Sequence, residues 1–144
     1  MAVDNKVTVK RNYNNNTISW KEAFYNFNDS VGKKEYVKKR EGFFVSHNAQ
    51  RISLVQEVLK DLNCKVAHLY IGIDVTNPGF GNHVDKHNVW FWQNKGTTIW
   101  DFDNEDSYTL YEGDLIYVPK GVHHKVTSVE ARFGISMNKC YDRK

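Results

Sequence analysis

The chain has 144 residues and a mass of 16.8 kDa, enough for one domain with a real hydrophobic core but not for a separate substrate domain. A net charge of +3 and a pI near 8.8 are too mild to define a nucleic-acid groove, because Lys33-Lys34 and Lys38-Lys39-Arg40 gather much of the positive charge into one polar stretch that reads as a solvated face. No apolar run approaches the roughly 18 residues of a spanning helix, and the N-terminus lacks the basic-then-apolar layout of a signal peptide, so a soluble, cytoplasmic protein is expected. Cys64 and Cys140 have no metal-type spacing with the histidines, which predicts free thiols in a reducing compartment and no sulfur ligands.

Residues 1–19 are polar and Asn-rich, the composition of an irregular or edge-strand arm. From Trp20 to Phe27 the apolar residues Trp20, Ala23, Phe24 and Phe27 recur at spacings of three and four, the stripe of a short amphipathic helix. A second helix is predicted over Asn48 to Leu62, on the stripe Ile52, Val55, Leu59 and Leu62, with Ser46 or Asn48 as its cap. Residues 20–64 therefore read as a helical cover. From Lys65 the period changes to short β-rich runs parted by Gly, Pro, Asn and Asp: Val66 to Asp74, Asn88 to Gln93, Thr97 to Phe102, Tyr108 to Tyr111, Asp114 to Val118, His124 to Val129 and Arg132 to Met137. The pattern predicts one mainly β domain over residues 1–144, a jelly roll over 65–140 with the N-terminal helices packed on one sheet. If His83 and Asp85 point into the barrel, parity carries Val89, Phe91 and Gln93 inward and sends Trp90 and Trp92 beneath the helices.

Two segments hold the residues with chemistry. In Gly79-Phe80-Gly81-Asn82-His83-Val84-Asp85, His83 and Asp85 are two apart, so on a strand they share a face and can chelate one ion. The second runs from Gly113 to His124, where Pro119 fixes φ and Gly121 permits a positive φ, the makings of a rigid corner that aims His124 across the barrel. Two imidazoles and a carboxylate are the ligand set of a mononuclear non-haem iron site, and they suit Fe(II), Mn, Ni or Zn alike. Standing alone, a His-x-Asp pair is a common surface feature.

It does not stand alone. The spacing Gly113-x5-Pro119-x-Gly121-x2-His124 resembles the second motif of the cupin superfamily. Gly81-Asn82-His83-Val84-Asp85, followed by Val89-Trp90-Phe91-Trp92-Gln93-Asn94-Lys95-Gly96 and Trp100, is similar to the JmjC-type 2-oxoglutarate oxygenases, above all the bacterial ribosomal-protein hydroxylases and the asparaginyl hydroxylase. The resemblance runs from about Gly79 to Asn138. It implies a double-stranded β-helix, metal ligands and catalytic residues at His83, Asp85 and His124, and Asn138 close to the co-substrate. His123 stands where the family often has tryptophan and is expected to line the corner. His87 reads as a strand-end polar residue, and His47 and His68 have no identifiable partner.

The resemblance also implies a cation for the distal carboxylate of 2-oxoglutarate, since that charge cannot be buried unpaired. JmjC-like relatives carry Lys or Arg on the strand after His-x-Asp, and the position aligned by Gln93 and Gly96 is Thr98, which cannot serve alone. Lys95 matches a residue outside the co-substrate pocket. Prolyl-hydroxylase-like oxygenases place the cation on the strand after the distal histidine, followed by a hydroxyl, and Arg132 with Ser136 repeats that arrangement; Arg132 as an exposed charge opposite Glu130 is the alternative. The implied activity is thus an Fe(II)- and 2-oxoglutarate-dependent dioxygenase, a hydroxylase acting on a small molecule or a protein side chain. The competing reading is a small metal-binding cupin with other chemistry or a sensor role and no 2-oxoglutarate. A structural jelly roll, such as a virion component, is a third. No membrane or nucleic-acid partner is expected, and homodimerisation is left open.

Overall fold

The computed structural model describes residues 6–40, 42–73, 84–104 and 106–140, so His83 lies outside the described residues. Among those described, ten strands and two α-helices follow one another: β1 (Thr8–Lys10), α1 (Trp20–Gly32), β2 (Tyr36–Arg40), β3 (Phe43–Ser46), α2 (Ser53–Leu62), β4 (Cys64–Gly72), β5 (Val89–Lys95), β6 (Thr98–Phe102), β7 (Ser107–Leu110), β8 (Leu115–Val118), β9 (His124–Ser128) and β10 (Arg132–Cys140). A seven-stranded sheet in the order β1-β8-β5-β10-β4-β3-β2 faces a three-stranded sheet in the order β7-β6-β9. All of the pairings are antiparallel, and each predicted strand from residue 65 onward has its counterpart here.

Helix α1 begins where Ser19 accepts a hydrogen bond from the Glu22 backbone N–H, and it buries Ala23, Asn26 and Ser30. Helix α2 ends on Asn63, whose φ of 55° is left-handed. Its predicted caps are corrected. Ile52 occupies the cap position with no side-chain bond, because a 3₁₀ turn at Ala49–Arg51 intervenes. The Ser46 hydroxyl and the Asn48 amide are instead engaged with one another and with Asn26 of α1. The cover over 20–64 is also not wholly helical: the basic stretch at Lys38 belongs to a hairpin, β2 against β3, that widens the large sheet.

Strand parity divides the core in two. Leu69, Ile71, Trp92, Phe133, Ile135 and Met137 face α1 and α2 and meet Ala23, Val55 and Val58 there. Phe91, Trp100, Phe102, Leu110, Ile116 and Val118 fill the space between the sheets. Each such side chain contributes about 1.5–3 kcal/mol of burial, so the alternation along β4, β5 and β10 fixes their register. The N-terminal arm is tied to the sheet at Asp114, a buried carboxylate that accepts from the Arg11 guanidinium at 2.7 Å, from the Asn12 N–H at 3.0 Å and from the Tyr111 N–H at 2.9 Å.

The free-thiol expectation is overturned. Cys64 and Cys140 are directly opposed where β4 pairs with β10, and they are joined in a disulfide. Sequence spacing could not show this, because the register of two strands 76 residues apart creates the contact. The argument from free thiols to a reducing compartment goes with it.

Candidate metal centre

The corner after β8 builds one half of the site. Gly121 has a φ of 79°, and its N–H donates to the Asp85 carbonyl at 3.1 Å, while the Lys120 N–H donates to the Asn88 side chain at 2.9 Å. These bonds fasten the corner to the segment that leads into β5. Three residues on, His124 is buried, its ring stacked on Trp100 at 5.7 Å and beside Phe102 at 5.8 Å. Its Nδ1 lies 2.9 Å from the Val122 carbonyl, a bond only an Nδ1–H can make, so the neutral ring turns the Nε2 lone pair the other way. That Nε2 is 3.5 Å from Asp85 Oδ2. An imidazole lone pair facing a carboxylate is the arrangement a divalent cation bridges.

Asp85 and His124 share a cavity, part of it open to solvent, with Phe43, Tyr70, Val89, Phe91, Trp100, Val118, Val126, Arg132 and Ser136. Arg132 is not an exposed hairpin charge. Its side chain is buried and crosses Gly72, its partner on β4; a Cβ at Gly72 would lie 2.9 Å from Arg132 Nε. Arg132 Nε donates to Ser128 Oγ at 3.0 Å, and the guanidinium lies 5.2 Å over the Phe43 ring. Burial pulls its pKa down to about 10, still protonated at neutral pH. Among the described residues no carboxylate pairs with it, and Tyr70 is the group that favours its charge. Tyr70 is held between Phe43 and Phe91 and hydrogen-bonds Ser136, and burial pushes its pKa up to about 12.

Thr98 is elsewhere. Its hydroxyl donates to Gln93 Oε1 at 3.1 Å and accepts from Trp100 Nε1 at 3.0 Å, and it does not line the cavity. Lys95 is engaged with Thr17 and Glu112, each at 2.9 Å. Asn138 lies on β10 two residues beyond Ser136 and outside the cavity wall. His87 and His123 are exposed. Among the described residues no group of three His, Cys, Asp or Glu side chains converges; Asp85 and His124 meet, and the third expected ligand, His83, is outside them. Sequence reading missed Tyr70, although the alternation of Ala67, Leu69 and Ile71 with His68 and Tyr70 would have turned it inward on β4.

No family model matches the chain, and no curated protein matches it in sequence. Solved structures do. YcfD, a ribosomal oxygenase from Escherichia coli, has a TM-score of 0.67 at 16% identity, covering 96% of this chain and 48% of its own. YcfD in complex with cobalt and 2-oxoglutarate gives 0.67 at 17%, over 96% and 49%. A cupin superfamily protein from Desulfitobacterium hafniense gives 0.52 at 13%, over 74% and 84%. The fold is the cupin jelly roll. The sequence resemblance implied this fold, and the chain spans about half the length of the YcfD chains. At these identities the likeness shows the fold alone, and no helix among the described residues is long and apolar enough to cross a membrane.

The side chains present fit a divalent metal and an anion. His124 Nε2 and Asp85 offer two donors of the right type facing one another, and the buried guanidinium of Arg132 offers the same cavity a charge for an anion to neutralise.

Proposed function

We propose that the protein is a JmjC-like Fe(II)- and 2-oxoglutarate-dependent hydroxylase, with His83, Asp85 and His124 as metal ligands and Arg132 as the anchor of the co-substrate. The observation that carries this reading is the desolvated guanidinium of Arg132 in the wall of the cavity that holds Asp85 and His124. Because Nε is committed to Ser128, the two terminal amino groups remain to grip a carboxylate side by side. Ser136 and Tyr70, already bonded to one another, supply hydroxyls beside it. This chain meets the requirement left open by Thr98 from a different strand, β10 in place of β6.

The Val122 carbonyl holds the His124 ring in the tautomer that presents Nε2, and Trp100 and Phe102 keep the ring from turning. Asp85 supplies the negative charge. Phe91, Trp100, Val118 and Val126 form an apolar wall that limits water around the reacting centre. Bound iron with 2-oxoglutarate and dioxygen would supply oxidative decarboxylation to succinate coupled to hydroxylation of the substrate. The name of YcfD, a ribosomal oxygenase, supports a protein side chain as that substrate.

Anaerobic addition of Fe(II), with and without 2-oxoglutarate, tests this. The expected result is a visible charge-transfer band that appears only with both. Fe(II) bound without the band would leave a metal-binding cupin of other chemistry, and unchanged metal stoichiometry in His124→Ala would reject the ligand set.

A further inference from the structure

Two histidines that the proposed centre does not use meet each other. His47 follows β3 and His68 lies on β4, with Nδ1 atoms 3.0 Å apart and rings at 90°, centroids 4.7 Å apart. His68 is opposite Ser136 in the β4–β10 register, so it shares the sheet face that carries Tyr70 and Ser136, yet neither histidine lines the cavity. Two ring nitrogens this close cannot both present lone pairs to each other. Either one carries a hydrogen, or a cation stands between them.

Three observations fit the cation. Two donors each about 2.1 Å from one ion and 3.0 Å from each other subtend roughly 90°, the angle of octahedral or square-planar coordination. Burial, with the charge of His47 second, holds the His68 pKa at about 4, so the ring keeps a free lone pair at neutral pH, the form a metal requires. The same face also carries an unsatisfied acceptor. Asn138 Oδ1 is the one buried side-chain polar atom without a hydrogen-bond partner among the described residues, and Asn138 is opposite Val66, two residues along β4 from His68. His47 is exposed, which leaves the pair accessible from solvent.

We propose that His47 and His68 form a second divalent-metal site, with the Asn138 amide oxygen beside it, suited to an imidazole-preferring ion such as Ni(II). It is separate from the Asp85–His124 pair: its histidines come from the turn after β3 and from β4, and the other pair from the segment before β5 and from β9.

Calorimetric titration with Ni(II) reads the number of sites. Wild type should take up two equivalents, and His47→Ala and His68→Gln should each take up one. His124→Ala should keep the equivalent at the histidine pair, so loss of the proposed iron centre and loss of this site are told apart. Asn138→Ala should weaken the pair's equivalent without abolishing it. His47→Ala, an exposed change, decides the matter if His68→Gln fails to fold. The ring resonances of His47 and His68 in the wild type should shift or broaden with Ni(II). Equal stoichiometry in wild type and His47→Ala would overturn the proposal, and so would an Nδ1–H shared between the two rings that persists in excess Ni(II). Either outcome would make the pair a hydrogen bond and nothing more.

Discussion

At the scale of single residues, Arg132 carries the most consequence. Among the described residues no carboxylate pairs with its guanidinium; a charge so desolvated costs the free protein stability, and an anion that enters the cavity offsets that cost. Arg132→Met should therefore leave the ligand-free protein at least as stable in thermal denaturation, while 2-oxoglutarate affinity, measured by calorimetry with Fe(II) or Mn(II) present, falls about 100-fold, the loss of roughly 3 kcal/mol of charged hydrogen bonding. Iron affinity should stay. Equal 2-oxoglutarate affinity would remove Arg132 from the site. The sequence left this residue between two roles, a cavity cation and an exposed charge opposite Glu130, because a strand pattern does not say how far a hairpin end is covered. The structure separates them: Arg132 is buried, and Glu130 binds Thr97 instead. Thr98 was legible as a departure from the family pattern, but the hydroxyl's use in bonding Gln93 and Trp100 depends on contacts that only the folded sheet creates.

At the scale of elements, the path of Arg132 is set by the strand next to it. Gly72 has no side chain where the guanidinium crosses β4, and Gly134, two residues beyond Arg132, leaves room for the Phe91 ring, whose nearest atom would lie 2.3 Å from a Cβ there. Gly72→Val should push Arg132 out of the cavity. The expected outcome is lost 2-oxoglutarate binding with Fe(II) binding retained, and retention of both would show that the wall can relax. A second element-scale prediction concerns the arm. Asp114→Ala removes the acceptor of Arg11, Asn12 and Tyr111 together and should cost about 2–3 kcal/mol in chemical denaturation, with faster hydrogen exchange in β1; an unchanged midpoint would mean the arm contributes nothing. Periodicity made the seven later strands and both helices legible, since their apolar spacing is strong. It failed for β2 and β3, where Lys38-Lys39-Arg40 follows Tyr36-Val37 in an edge strand of mixed polarity. Charges on an edge strand discourage pairing with another chain, and the same composition reads as loop.

At the scale of the whole molecule, what the sequence concealed is long-range closure. The arm reaches Asp114 across 103 positions, and Cys64 meets Cys140 across 76, contacts that no local pattern encodes. The bridge joins the start of β4 to the end of β10, so the loop it closes contains β5 to β9, Asp85, His124 and Arg132. Cross-linking so long a loop removes conformational freedom from the unfolded chain and stabilises the fold by about 2–4 kcal/mol. For a domain of this size that corresponds to a fall in Tm of roughly 5–15 °C when the bond is absent. The Cys64→Ser, Cys140→Ser double variant should show that fall under oxidising conditions, and a reductant should lower the wild type to the same Tm without affecting the variant. The β4–β10 pairing would remain, because eight register pairs hold it and Cys64–Cys140 is only the last. Two titratable thiols in the native protein, together with a Tm indifferent to reductant, would show that the cysteines oppose each other without bonding and would restore the free-thiol expectation.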